Sequence, residues 1–222
     1  MTTKHLSKPV FPAGVYGITA EKFSAGRTNA EVVRQMIAGG IRIIQYREKR
    51  AHKSAREMLN ECIMIRKLTR EAGVLFIIND YPDIAQLVDA DGVHVGQDDY
   101  SVAEVRRLIG PDKLIGLSTH EPKHAAAAVA AGADYLGVGP IFSTQTKEDV
   151  CAPVGLGYLD HIAKGCPLPF VAIGGIKEHN LGEVLAHGAT TVCLVTEIVG
   201  AADIVTTVRR LQAACCRTGT IG

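Results

Sequence analysis

The sequence predicts a single-domain α/β protein, a closed (β/α)8 barrel, on three observations. Short apolar, β-branched runs recur along the whole chain, helical patterns with start and stop signals separate them, and no linker or low-complexity stretch divides the 222 residues. Nearly continuous apolar runs read as strands covered on both faces, which is the habit of parallel sheets.

The elements follow in order. VYGIT (15–19) is the first strand run. Thr28 and Glu31 then form a capping box, the next helix face carries Val32, Val33, Met36 and Ile37, and glycines at 39–40 stop it. IRIIQY (41–46) is second. Ser54 and Glu57 open a helix with Met58, Leu59, Cys62 and Ile63 on one face, ended by Gly73. LFII (75–78) and GVHV (92–95) come next, and Ser101 with Glu104 starts the helix that stops at Gly110. LIGLS (114–118) precedes a helix with Pro122 at its first position and Gly132 beyond its end. YLGVG (135–139), FVAI (170–173) and TVCLV (191–195) complete the strands. Leu181, Val184 and Leu185 mark the helix before the last run, and Ile204, Val205, Val208 and Leu211 the helix after it.

A strand followed by a crossover helix gives parallel pairing and right-handed connections. Eight such units use the whole chain, so a closed barrel is favoured over an open doubly wound sheet. The expected domain is 1–222, with its core at about 14–212 and loose ends, including the tail from Cys215 to Gly222.

Composition excludes several function classes. Hydrophobic residues make up 47%, enough for a sizeable core, and the formal net charge is +1, so there is no global pull toward nucleic acid or an anionic membrane. The opening MTTKHLSKPVFPAG has no apolar signal-peptide core, and no apolar run approaches the ~20 residues of a membrane helix. The six cysteines form no C-x-x-C pair and fit no zinc module, so reduced thiols in a cytoplasmic protein are expected. The oligomeric state is left open, a homo-oligomer being compatible with everything above.

Ligands of such barrels bind at the C-terminal face, built from the loops after the strands. Polar residues collect there. QYREK brings Gln45, Arg47 and Lys49, which alternate and so point one way while the chain stays extended. Asn79 and Asp80 end the third strand, GQDD (96–99) follows the fourth, and Ser118 and His120 end the fifth. Thr144, Thr146 and Lys147 follow the sixth, Gly174 and Gly175 the seventh, and Thr196 and Glu197 the eighth. Taken singly, Asp80 or Asp99 reads equally well as a helix N-cap. Together, three cations (Arg47, Lys49, Lys147) suit a polyanion such as pyrophosphate, and two carboxylates from adjacent strands suit Mg2+, which takes one or two carboxylates plus phosphate oxygens. The glycines after the seventh strand, and the helices expected after the seventh and eighth, suit a second phosphate. Two anion sites and one metal imply two phosphorylated substrates, or one substrate with two phosphate groups.

Two motifs are decoys. HEPKH (120–124) matches the zinc-protease pattern, but Pro122 at a first helical position leaves His120 outside the helix. GLSTH (116–120) has His120 where a nucleophile elbow needs its second glycine. His94 lies in a strand and reads as a packed residue behind the site, and the Arg66, Lys67 and Arg70 cluster as a solvated helix face.

QYREK, IND, VHVGQDD, IGLSTH, GPIFSTQTK and AIGGI stand in the order and at the strand ends found in the thiamine-phosphate synthase family, which the chain resembles over roughly residues 14 to 200. The family joins 4-amino-2-methyl-5-hydroxymethylpyrimidine pyrophosphate to 4-methyl-5-hydroxyethylthiazole phosphate with release of pyrophosphate. The resemblance implies that Gln45, Arg47, Lys49, Asn79, Ser118 and Lys147 bind the pyrimidine pyrophosphate. It gives Asp80 and Asp99 to Mg2+, and Thr144, Thr146, Gly175, Val195 and Thr196 to the thiazole phosphate. Ser118, Lys147 and Arg47 would be catalytic. Two positions depart from the family: Ala20, where an aspartate is usual, and Thr196–Glu197, where Ser-Ala is usual. Glu197 is expected to point outward and complement the dipole of the following helix. A thiazole-isomerising subgroup and non-catalytic binders of thiamine intermediates share the fold; QYREK, both aspartates and TQTK argue for the synthase over the isomerase.

Overall fold

The computed structural model describes residues 8–146 and 151–218. Eight parallel strands close into a barrel in chain order, with β1 pairing β8. The strands are β1 Gly14–Ile18, β2 Ile43–Tyr46, β3 Leu75–Asn79, β4 Gly92–Val95, β5 Leu114–Thr119, β6 Tyr135–Val138, β7 Phe170–Ile173 and β8 Thr191–Cys193. Around them run α1 Asn29–Gly39, α2 Ala55–Ala72, α3 Pro82–Leu87, α4 Val102–Ile109, α5 Pro122–Ala130, α6 Gly155–Gly165, α7 Leu181–Ala186, α8 Val195–Val199 and α9 Ile204–Thr218.

The three capping boxes form as their sequences require. Thr28, Ser54 and Ser101 each accept a hydrogen bond from the backbone N–H three residues on, and Glu31, Glu57 and Glu104 reach back to the cap N–H. Gly40 and Gly73 close α1 and α2 in left-handed conformations, φ 99° and 66°. Strand alternation sorts side chains into two apolar sets. One lies between strands and helices; the other fills the barrel with Tyr16, Ile18, Ile43, Ile77, Leu114, Tyr135, Val171 and Cys193.

Four details differ from the sequence reading. The chain before β1 is not loose where it is described: Phe11 stacks on Tyr135 with ring centroids 4.6 Å apart, and Lys8 pairs with Asp134 at 2.6 Å. The helix α9 runs through Cys215 and Cys216 to Thr218, because its apolar stripe continues onto the core; Gln212 on the same helix accepts from Val15 N at 3.1 Å. The strand β8 stops at Cys193, and Val195 opens α8 instead of extending the sheet. Arg66 is turned inward, not solvated: it grips Asp91 with two hydrogen bonds of 2.7 and 3.1 Å while Asp91 also takes Phe76 N. That brace, and the matching one of Arg106 on Asp134, ties helices to strand starts at the face opposite the candidate site.

Candidate active site

Alternation along β2 sets the first group of residues. Tyr46 and Glu48 face the helices, where Tyr46 donates to Glu61 at 2.6 Å and Glu48 accepts from Asn29 at 2.9 Å. Gln45 therefore faces the barrel interior, and Lys49 reaches the mouth, where its ammonium lies 2.7 Å from the Asp80 carboxylate. Arg47 leaves the strand with its N–H on the Thr19 hydroxyl at 2.9 Å and its side chain half-buried. Behind this loop, Lys53 pairs with both Glu21 and Glu61. Their attraction outweighs the burial that opposes its charge, and its pKa is raised.

The helix-cap reading fails for both aspartates. Tyr81 is the N-cap of α3, without a side-chain bond, and Ser101 caps α4. Asp80 instead sits in the left-handed region at φ 63°, and Tyr81 N–H bonds back to the Asn79 carbonyl at 2.8 Å. This tight, sparsely populated conformation lifts the Asp80 side chain out of line with the strand, a kind of strain that collects at functional sites. Asp99 folds the loop after β4 by accepting from Gly96 N at 2.7 Å. Burial raises its pKa above the ordinary carboxylate value, and the Asp80 carboxyl, near enough for a hydrogen bond, adds to the rise. Asn79 is buried beside them at the end of β3.

Ser118, half-buried at the end of β5, meets His94 Nε2 at 3.0 Å. His94 is thus packed behind Ser118, as its strand position suggested. Pro122 stands at the first turn of α5 with His120 outside the helix, its Nδ1 2.5 Å from the Gly139 carbonyl. Among the described residues no group of three His, Cys, Asp or Glu side chains is placed to hold a metal.

The loop after β6 lies against the end of β7, with Ile141 N on Ile173 O and Phe142 N on Gly174 O, both 2.9 Å. Gly175 is needed there: its φ is 66°, and a Cβ would stand 2.5 Å from the Ser143 carbonyl. Thr144 and Thr146 follow in this loop, their hydroxyls 3.2 Å apart. The sequence-predicted Lys147 lies outside the described residues. A helix does not directly follow β7, since α7 starts only at Leu181; α8 does follow β8, with Val195 and Thr196 in its first turn. Glu197 turns to the loop after β7 and accepts from Lys177 Nζ at 3.0 Å, while the same ammonium donates to Thr196 Oγ1 at 2.7 Å.

Comparison with known proteins bears on the fold and the family. The family model for thiamine monophosphate synthase matches residues 15–198. A thiamine-phosphate synthase from Pelotomaculum thermopropionicum is 60% identical over 201 residues, 90% of this chain and 91% of that one. One from Lawsonia intracellularis is 54% identical over 91% of this chain and 92% of its own. A thiamine phosphate pyrophosphorylase structure from Pyrococcus furiosus superposes with a TM-score of 0.84 at 33% identity, covering 93% of this chain and 96% of that one.

The chain belongs to the thiamine monophosphate synthase family.

Its members are transferases of thiamine biosynthesis that act on small phosphorylated substrates. Sequence reasoning passed over Lys177 and the interior phenols of Tyr16 and Tyr135. The tyrosines hid within apolar runs, although the inward period of β1 and β6 marks both; Lys177 follows AIGGI directly and was one step from the motif. No helix of the described residues is long and apolar enough to cross a membrane.

Proposed function

We propose that the mouth of this barrel makes thiamine phosphate from 4-amino-2-methyl-5-hydroxymethylpyrimidine pyrophosphate and 4-methyl-5-hydroxyethylthiazole phosphate. The observation that carries the reading is the meeting of Lys49, Asp80 and Asp99 from three neighbouring strand ends, with a carboxylate pair that a cation would relieve. The raised pKa of Asp99 and the strained placement of Asp80 fit a hard divalent ion that also takes phosphate oxygens, so Asp80 and Asp99 are assigned to Mg2+. When bound, Mg2+ offsets negative charge on the pyrophosphate oxygens.

The chain's own residues supply position and charge. Gln45, Arg47, Lys49 and Asn79 hold the pyrimidine pyrophosphate, and Ser118 and Lys147 meet the oxygens that gain charge as the C–O bond breaks. Thr144, Thr146, Gly175, Val195 and Thr196 hold the thiazole phosphate on the other side of the mouth. The bond between the pyrimidine methylene and oxygen breaks with its electron pair leaving on pyrophosphate, and the ring amino group stabilises the resulting cation. The thiazole nitrogen then forms the new C–N bond. No proton leaves the reacting carbon, so the absence of a poised general base in the assignment is chemically consistent. Phosphorylated metabolites and the buried thiols of Cys62 and Cys193 suit a cytoplasmic enzyme.

Incubation with both substrates and Mg2+, followed by mass detection of thiamine phosphate, tests the reading. Product that requires both substrates is expected; a folded protein that yields none while binding either substrate would show a non-catalytic binder instead.

A further inference from the structure

A chain of hydrogen bonds crosses the barrel interior beneath the mouth. Gln45 Nε2 meets Tyr16 OH, Tyr16 OH meets Tyr135 OH, Tyr135 OH meets His94 Nδ1, and His94 Nε2 meets Ser118 Oγ, every one at 3.0 Å. It joins side chains of β2, β1, β6, β4 and β5. All of its members but Ser118 are buried, Tyr16 and Tyr135 essentially completely. Two glycines make room for it. A methyl at Gly116 would land 2.5 Å from the Tyr135 hydroxyl, and one at Gly137 would stand 3.0 Å from His94 Cε1.

The chain has a direction. An amide nitrogen only donates, so the Tyr16 oxygen accepts from Gln45. The Tyr16 O–H then has the Tyr135 oxygen as its acceptor among the described residues. The Tyr135 proton in turn goes to His94 Nδ1. A neutral imidazole that accepts at Nδ1 carries its proton on Nε2 and donates to Ser118 Oγ. Reversed, Tyr16 would accept twice and bury its own proton without an acceptor, which disfavours that arrangement on the order of tenfold to a hundredfold.

We propose that this one-way chain makes Tyr16, Tyr135 and His94 positioning residues: the tyrosines set His94 to donate to Ser118 Oγ, which turns the single Ser118 proton out to the mouth, as a donor to substrate pyrophosphate. The kinetic part rests on the synthase reading; the direction of the chain does not. A hydroxyl committed outward gives its bond to an oxygen whose negative charge grows as the bond to carbon breaks. A hydroxyl that donated inward to His94 would offer that oxygen only lone pairs.

The test has two arms. In histidine-15N-labelled, ligand-free protein, His94 resonances are identified by their loss in His94→Gln, and the neutral Nε2–H tautomer is expected. An Nδ1–H tautomer or an imidazolium there overturns the proposal whatever the enzyme catalyses. In turnover assays, Tyr135→Phe should lower kcat about tenfold while the KM of the thiazole phosphate stays put. Combined with Ser118→Ala it should add little further loss, because both changes remove the same outward donor. Additive losses overturn the proposal. Should Tyr135→Phe fail to fold, Tyr16→Phe serves in the same cycle, since it removes the phenol that passes on the polarity from Gln45. Wild-type protein that makes no thiamine phosphate would sink the synthase reading, and the His94 tautomer would still decide the direction of the chain.

Discussion

The substitution Asp99→Asn exchanges one carboxylate oxygen for an amide group. An oxygen remains for Gly96 N–H, the bond that folds the loop after β4. What disappears is a charge that burial and the neighbouring Asp80 both disfavour. Two like charges at roughly 4 Å repel by about 1 kcal/mol in water and about 4 kcal/mol at an effective dielectric of 20. Asp99 is only partly desolvated, keeping much of its contact with solvent, and Lys49 already sits on Asp80, so the lower end applies and the variant gains about 0.5–1 kcal/mol. For a chain of this size that is a rise of roughly 1–4 °C in Tm, read by calorimetry in EDTA. Added Mg2+ should stabilise the wild type, by relieving the same repulsion, and leave the variant unmoved. Turnover should fall on the order of a hundredfold or more. Stability and activity thus move in opposite directions, which a damaged fold would not produce. A Tm below wild type in EDTA, or near-wild-type turnover at limiting Mg2+, refutes the reasoning.

Further outcomes follow from other contacts. Lys177→Met leaves Glu197 uncompensated beside Thr196, so the thiazole-phosphate KM should rise about tenfold, and Glu197→Gln in the same chain should restore most of it; equal KM values across the set would remove Lys177 and Glu197 from the site. Thr146→Ala should mainly raise the thiazole-phosphate KM and Lys147→Ala mainly depress kcat, and steady-state kinetics showing the reverse would overturn that division. Hydrogen bonds from Thr28, Ser54 and Ser101 lower the pKa values of Glu31, Glu57 and Glu104 from 4.5. A lowered folded pKa means that the capping boxes stabilise the fold above pH 4.5 and lose that contribution as the pH falls through their lowered values. The triple alanine variant at the caps should therefore have a lower Tm at pH 7 and a flatter decline in acid; parallel acid slopes would count against it.

Much of the site was legible because its signals are local. Asp80 and Asp99 stand just past apolar runs, and the barrel geometry alone sends such positions to one face. Whether either aspartate caps a helix was only partly legible. For Asp80 the cap was lost because the residue adopts φ 63°, which leaves no mark in the spacing; for Asp99 the Ser101–Glu104 box, itself legible, already held the cap of α4. The outward expectation for Glu197 missed its partner for a similar reason: Lys177 is 20 residues away and meets it only because β7 and β8 are neighbours in the barrel.

The sequence by itself determined the barrel, its single domain and the starts of α1, α2 and α4. Apolar period, capping boxes and stop glycines act within a few residues of one another, so they survive being read in one dimension. Only the tertiary structure decided which side chains share the interior and what they do there. Alternation says that Tyr16 and Gln45 lie on one face of their strands; it does not say which residues that face will meet. Closure brings Tyr16 to Tyr135, 119 residues later, and Tyr135 to His94, because strands that are not adjacent in the barrel wall still point at the same axis. Buried hydroxyls must then find partners within that narrow space, and this requirement, not any local pattern, sets the chain from Gln45 to Ser118.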